Sequence, residues 1–195
     1  MRESEKGITT MTAIVDVLTN GYASDRVAGT VVLVRENDVI IVVDPGMVAS
    51  RDAILQPLRG FGVLEGDVTD VIFSHHHPDH TLNAALFLNA RFHDVWAIYQ
   101  DDVWGDRTDV IEGAPSVSLL DTPGHTAQDI STLIQTREGL VVCTHLWWSS
   151  DGPAIDPLAT DQAQLDASRK KVLDLRPFLI IPGHGPAFAP GDVVQ

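Results

Sequence analysis

Cysteine is almost missing from this chain: Cys143 stands alone among 195 residues, which rules out an internal disulfide. Basic residues are scarce as well. Thirteen Lys and Arg face 27 Asp and Glu, a formal net charge of −14, so the molecule as a whole should repel polyanions and anionic membrane surfaces. A nucleic-acid partner is therefore not favoured and would need a local basic site. Long apolar runs are lacking too. The longest candidates are short stretches such as Val39 to Val43, far below the ~20 residues of a membrane-spanning helix, so no membrane association is expected. Met1 to Lys6 lead into no hydrophobic signal region, and a reducing, cytoplasmic setting is the expectation. What is present is the composition of a globular protein, 44% apolar and 21% charged. Its length fits one core, and we expect a flexible N-terminus over residues 1–7 and a single domain over 8–195.

The β-branched runs Val27 to Arg35 and Asp38 to Val43, split by Glu36-Asn37-Asp38, read as two strands joined by a tight turn. Asp44-Pro45-Gly46 stops the second. Ile54, Leu55 and Leu58 fall at helical spacing between Ser50 and Arg59, with Gly60 and Gly62 as the close. Val71-Ile72-Phe73 is a buried-strand signal that ends at Ser74-His75-His76-His77-Pro78-Asp79-His80. A helix over Ala84 to Leu88 and a strand over Val95 to Tyr99 follow. Three further strands end in histidine: Ser116 to Leu120 before His125, Leu140 to Thr144 before His145, and Phe178 to Ile181 before His184. Ile130 to Thr136 pairs with Leu140 to Thr144 as a hairpin, and a last helix runs from about Asp161 to Leu175. Mixed strands and helices imply a layered α/β or α+β fold.

Imidazole and carboxylate are the usual ligands of zinc and similar ions, and a site needs several of them converging from rigid elements. His75-x-His77-x-Asp79-His80 offers four within six residues. Together with three strand-end histidines it marks a metal centre. His93 is read as an ordinary histidine, and His76 as a non-ligand pointing away from its neighbours. Cys143 should be buried and inert.

His75-x-His77-x-Asp79-His80, Thr122-Pro123-Gly124-His125-Thr126 and Pro182-Gly183-His184-Gly185 resemble the metallo-β-lactamase superfamily, over roughly Ile8 to Ala189. The tail from Ala167 to Phe188 is similar to one sub-family of it. The resemblance implies a four-layer αββα sandwich with metals at one edge. It further implies that His75, His77 and His125 hold one ion while Asp79, His80 and His184 hold the second. Asp44 then matches a position that supports a ligating histidine by hydrogen bonding. One departure stands out: where the family has an aspartate bridging both ions, this chain has His145. The two nitrogens of an imidazole face opposite ways, so His145 should bind one ion or none, leaving a mononuclear or unevenly loaded centre.

The chemistry implied is hydrolysis of an ester, thioester, lactone or similar bond in a small-molecule substrate. A divalent ion would activate water or hydroxide, with Asp79 as the catalytic residue that orients it. Zinc, as one or two ions, is the expected metal, with iron or manganese as alternatives. Trp147 and Trp148 follow the site closely and are candidates for the pocket wall. Two rival readings remain. One is a phosphodiesterase, because the sub-family includes a ribonuclease acting on RNA 3′ ends; its basic cluster would be Arg169-Lys170-Lys171. The other is an iron-dependent sulfur oxygenase or a weakly active metal-binding protein. Substrate identity and oligomeric state have no signature in the sequence.

Overall fold

A computed structural model describes residues 12–192, so the expected N-terminal segment 1–7 lies outside the described residues. The strands in chain order are β1 (Ile14–Thr19), β2 (Tyr22–Ala23), β3 (Val27–Ala28), β4 (Val31–Glu36), β5 (Val39–Val43), β6 (Asp70–Ile72), β7 (Arg91–His93), β8 (Ala97–Gln100), β9 (Val103–Asp106), β10 (Val110–Ile111), β11 (Ala114–Asp121), β12 (Ile130–Gln135), β13 (Leu140–Thr144) and β14 (Leu179–Pro182). The α-helices are α1 (Asp52–Gly60), α2 (Pro78–Thr81) and α3 (Gln162–Asp174). None is long and apolar enough to cross a membrane.

Two sheets carry the architecture, one of seven strands in the order β1-β4-β5-β6-β7-β8-β9 and one of five in the order β10-β11-β12-β13-β14. Strand period decides the layers, because successive side chains point to opposite faces. From β4, Val32 and Val34 enter the space between the sheets, where Ile41, Val43 and Ile72 meet Val117, Leu119, Ile130, Ile134, Cys143 and Ile181. Val31 and Leu33 point the other way, with Val42 and Val71, onto Ile54 and Leu58 of α1. On the far side Val142 and Ile180 pack against Leu165 and Val172 of α3. Three apolar cores between four layers make the αββα sandwich. Leu165 is fully buried, and its truncation to alanine should cost about 2–5 kcal/mol.

Local chemistry sets the boundaries. Gly62 takes φ +76 just past the end of α1, a conformation glycine enters freely. The Asp161 side chain accepts from the Gln164 N–H at 3.0 Å and caps α3, which runs nearly as the periodicity predicts. The predicted helix over Ala84 to Leu88 is only a short 3₁₀ turn at Ala84–Leu86. The strand expected from Val95 begins at Ala97 instead. There the Asp94 carboxylate accepts from the Trp96 and Ala97 N–H groups, at 2.7 and 2.9 Å, and holds the preceding residues in a turn. The run expected as one strand over Val27 to Arg35 is broken between β3 and β4.

Candidate metal centre

Each candidate ligand leaves the end of a strand at the same edge of the sandwich. Asp44 follows β5, His75 lies just beyond β6, His125 lies beyond β11, His145 follows β13 and His184 lies beyond β14, while Asp79 and His80 sit on α2. Close backbone approach makes this edge compact. A Cβ on Gly46 would overlap the Asp79 carbonyl, and one on Gly124 (φ +151) would overlap the backbone of Leu165 in α3. Glycine at these two positions lets the loops carrying Asp79 and His125 settle where they do.

Two clusters form. In the first, His75 Nε2 and His125 Nε2 lie 3.0 and 3.1 Å from His77 Nδ1. The hydrogen-bond partners fix which nitrogens carry protons. Ser74 donates its N–H and Oγ–H to Asp44 at 2.7 and 2.6 Å, so the His75 Nδ1–H must donate to Ser74 Oγ at 3.0 Å. The His125 Nδ1–H donates to Asp156 at 2.7 Å. Both Nε2 atoms are therefore bare lone pairs aimed at a third nitrogen; a proton on His77 Nδ1 could serve only one of them well, whereas a cation among the three would take all three lone pairs.

In the second cluster Asp79 Oδ2 is 3.5 Å from both His80 Nε2 and His184 Nε2. The His80 Nδ1–H donates to Asp44 at 2.9 Å and the His184 Nδ1–H to the Ala28 carbonyl at 2.9 Å. His80 Nε2 is buried with no hydrogen-bond partner, a position that a cation between it, Asp79 and His184 would satisfy. Asp44 reaches both Ser74 and His80 from a left-handed backbone (φ +52), a conformation costing roughly 1–2 kcal/mol. The residues fit a divalent cation at either cluster, each set lying within 4.8 Å.

Electrostatics agree. Burial, reinforced by neighbouring imidazoles, lowers His75 and His145 well below the ordinary histidine value, and burial lowers His77 and His184 too. Those rings are neutral and able to ligate. At His80 burial opposes a charge, but Asp44 and Asp79 outweigh it and push the value up to about 9. A field that attracts a proton to that nitrogen also attracts a metal ion. Asp79 is itself lowered to about 2 because contacts with His80 and His184 overcome its burial, so it is ionised.

The site opens into a cleft of about 580 Å³, bordered by Val27, Pro78, Trp148 and Leu158 as well as by the candidate ligands His77, Asp79, His125, His145 and His184. Trp148 borders it and Trp147 does not. Trp147 is 2% exposed, packed edge-on to Phe188 with the Arg169 guanidinium over its ring, so as a pocket-wall candidate it is corrected. The basic cluster is likewise dispersed into structural contacts. Arg169 donates to the carbonyls of Leu146, Pro153 and Ala154, Lys170 pairs with Asp174, and Lys171 donates to the Asp121 carbonyl. His76 pairs with Asp94 and stacks on Trp96, and His93 pairs with buried Asp70. Cys143 is buried, with burial raising its thiol. Sequence reasoning missed Asp156, which accepts from His125 and from the Trp148 indole at 3.1 Å.

The model of the metallo-β-lactamase superfamily matches residues 24–143. This chain belongs to that superfamily. Metallo-β-lactamase domain-containing protein 1 of Xenopus laevis is 35% identical over 189 residues, spanning 89% of this chain and 80% of that protein. The Homo sapiens protein of that name is 36% identical over 158 residues, and the match covers 76% of this chain but 59% of its length. These similarities accord with the sub-family likeness of the tail. In the solved structure of an N-acyl homoserine lactone hydrolase, with N-hexanoyl-L-homoserine at its catalytic metal centre, the metallo-β-lactamase fold recurs with TM-score 0.66. That chain is 18% identical, and the match covers 91% of this chain and 94% of that one.

Proposed function

We propose that this protein is a metal-dependent hydrolase of an ester, thioester or lactone whose acyl part is neutral and apolar. The observation that carries it is the double cluster of imidazole nitrogens and one ionised carboxylate at the floor of a cleft with apolar walls. The six ligands would be His75, His77 and His125 in one set and Asp79, His80 and His184 in the other. A divalent cation held there, zinc being the one best suited to so many imidazoles, supplies activated water and polarises the bond under attack. The chain's own residues do the rest. Asp79, ionised and at the cleft, orients the attacking water and takes up its proton. Asp44, Asp156 and the Ala28 carbonyl hold His80, His125 and His184 in the tautomer that leaves Nε2 free. Trp148, Val27 and Leu158 exclude water from around the acyl group.

Phosphodiester cleavage is supported less well. Among the described residues lining the cleft there is no Lys or Arg. Arg26, between Ser24 and Val27, is exposed beside Asp25. Elemental analysis of the protein as purified, read with a panel of acyl esters, thioesters, lactones and a phosphodiester, tests the proposal. Bound divalent metal and turnover of the acyl substrates are expected, and Asp79→Ala should lower kcat/KM by about 10²–10⁴-fold with an ion still held at His75, His77 and His125. An unimpaired Asp79→Ala enzyme, or turnover confined to the phosphodiester, would refute it.

A further inference from the structure

Of the five imidazoles in the two paired sets, four are held from behind: His75 by Ser74, His80 by Asp44, His125 by Asp156 and His184 by the Ala28 carbonyl. Among the described residues nothing does this for His77. Its Nδ1 meets only His75 and His125, and the ring is half-buried at the cleft. The backbone is fixed instead. The His77 carbonyl accepts from the His80 N–H at 2.9 Å and from the Thr81 hydroxyl at 3.3 Å, which ties the far side of the residue to α2. On the near side stands His76, whose ring leaves the run in another direction. Its Nε2 lies 3.0 Å from Oδ2 of Asp94, a residue 1% exposed just beyond β7. That carboxylate is itself rigidly set. Oδ1 accepts from the Trp96 and Ala97 N–H groups at 2.7 and 2.9 Å, and the Tyr99 hydroxyl of β8 donates to Oδ2 at 2.8 Å. Trp96 then stacks on the His76 ring, with centroids 5.3 Å apart.

We propose that Asp94 is a positioning residue of the metal centre: by holding His76 it fixes the backbone between His75 and His77, and so aims the one ligand ring that has no partner of its own. This rests on the metal-centre reading above and deepens it. Each peptide unit is planar, so a side chain pinned at position 76 restrains the planes on both sides of it, and those planes set the directions in which residues 75 and 77 leave the chain. Support behind a ligand is worth about 10–100-fold in metal affinity, and support passed through one intervening residue belongs at the lower end of that range.

Zinc(II) affinity of chelator-stripped protein, measured by competition with a chromophoric chelator, tests this without an activity assay. His77→Ala identifies the ion that depends on His77. The His76 side chain is 38% exposed and can be replaced without opening the core; His76→Ala should weaken that same ion about tenfold. His76→Gln sets an amide where Nε2 was, keeping the bond to Asp94 while losing the stack on Trp96, and should restore affinity to within about threefold of wild type. Asp94→Ala should weaken the ion at least as much as His76→Ala does, and the double variant no more than Asp94→Ala alone, because both act through one contact. An affinity unmoved by His76→Ala would overturn the proposal. So would a His76→Gln protein as weak as His76→Ala, which gives the effect to the stack, or losses that add in the double variant. Should Asp94→Ala fail to fold, the two His76 variants still decide. A wild type that binds no zinc, or whose zinc is indifferent to His77→Ala, removes the metal site itself, an outcome distinct from zinc that needs His77 and ignores His76.

Discussion

Asp156 shows how a single side chain ties the cleft wall to a ligand. One of its oxygens accepts from the His125 Nδ1–H and from the Trp148 indole, and its backbone is fixed by Gln162 at 2.9 Å. Contacts with His125 and other donors lower its carboxyl despite burial, so it is an anion behind a metal ligand. Asp156→Asn keeps the shape but loses the charge and one acceptor. Metal affinity at the first set should fall about 10–100-fold, measured by competition with a chromophoric chelator, and an unchanged affinity would show that His125 needs no such support. No pattern in the chain marks Asp156. It sits in a loop rich in Gly, Pro, Asp and Ser, and both its partners are reached through folding, His125 from 31 positions away.

At the level of elements, strand β6 carries a second electrostatic commitment. Asp70 is fully buried, with Arg91 at 2.9 Å and His93 at 2.7 Å. Its burial works against the charge, but His93 and Arg91 outweigh it and lower the carboxyl below its ordinary value. A carboxyl lowered in the folded state contributes stability that is complete above its unfolded value near 3.8 and fades as pH falls through the folded one. Asp70→Asn should therefore destabilise the fold by about 1–3 kcal/mol at pH 7, with the gap to wild type closing below about pH 4 in urea melts. A gap that widened in acid would contradict the sign. The elements most legible in the sequence were the apolar runs that end in histidine, β6, β13 and β14, because burial on both faces and a rigid exit leave a strong pattern. Strand β1 went unnoticed since Asp16 interrupts its apolar residues and it lies half-buried at the sheet's edge, and three-residue β7 is too short to show any period. Four of the six paired ligands were readable from spacing, and the other two, His125 and His184, from the strands before them, whereas the Trp147 and Trp148 pair could be separated only by strand and core geometry.

For the whole molecule, a charge of −14 and a cleft walled by Val27, Trp148 and Leu158 point to the same class of substrate. Val27 and Leu158 are 38% and 62% exposed, apolar surface left open at the mouth. Val27→Asp and Leu158→Asp should each cut kcat/KM for a hexanoyl ester by about tenfold while sparing an acetyl ester, since apolar contacts of this size are worth about 1–3 kcal/mol. Equal losses on both esters would mean that the acyl chain lies elsewhere. The ligands also come from both halves of the sandwich: His75 and His77 hang from the seven-stranded sheet, His125 from the five-stranded one. An ion gripped by all three, as proposed, would act as a rivet through the two plates. Stripping it with a chelator should lower Tm by about 5–10 °C, the shift expected of a ligand held near a hundred times its Kd. Amide exchange should then quicken at the riveted rim first, while the opposite rim, where Asn37 turns β4 into β5, stays shut.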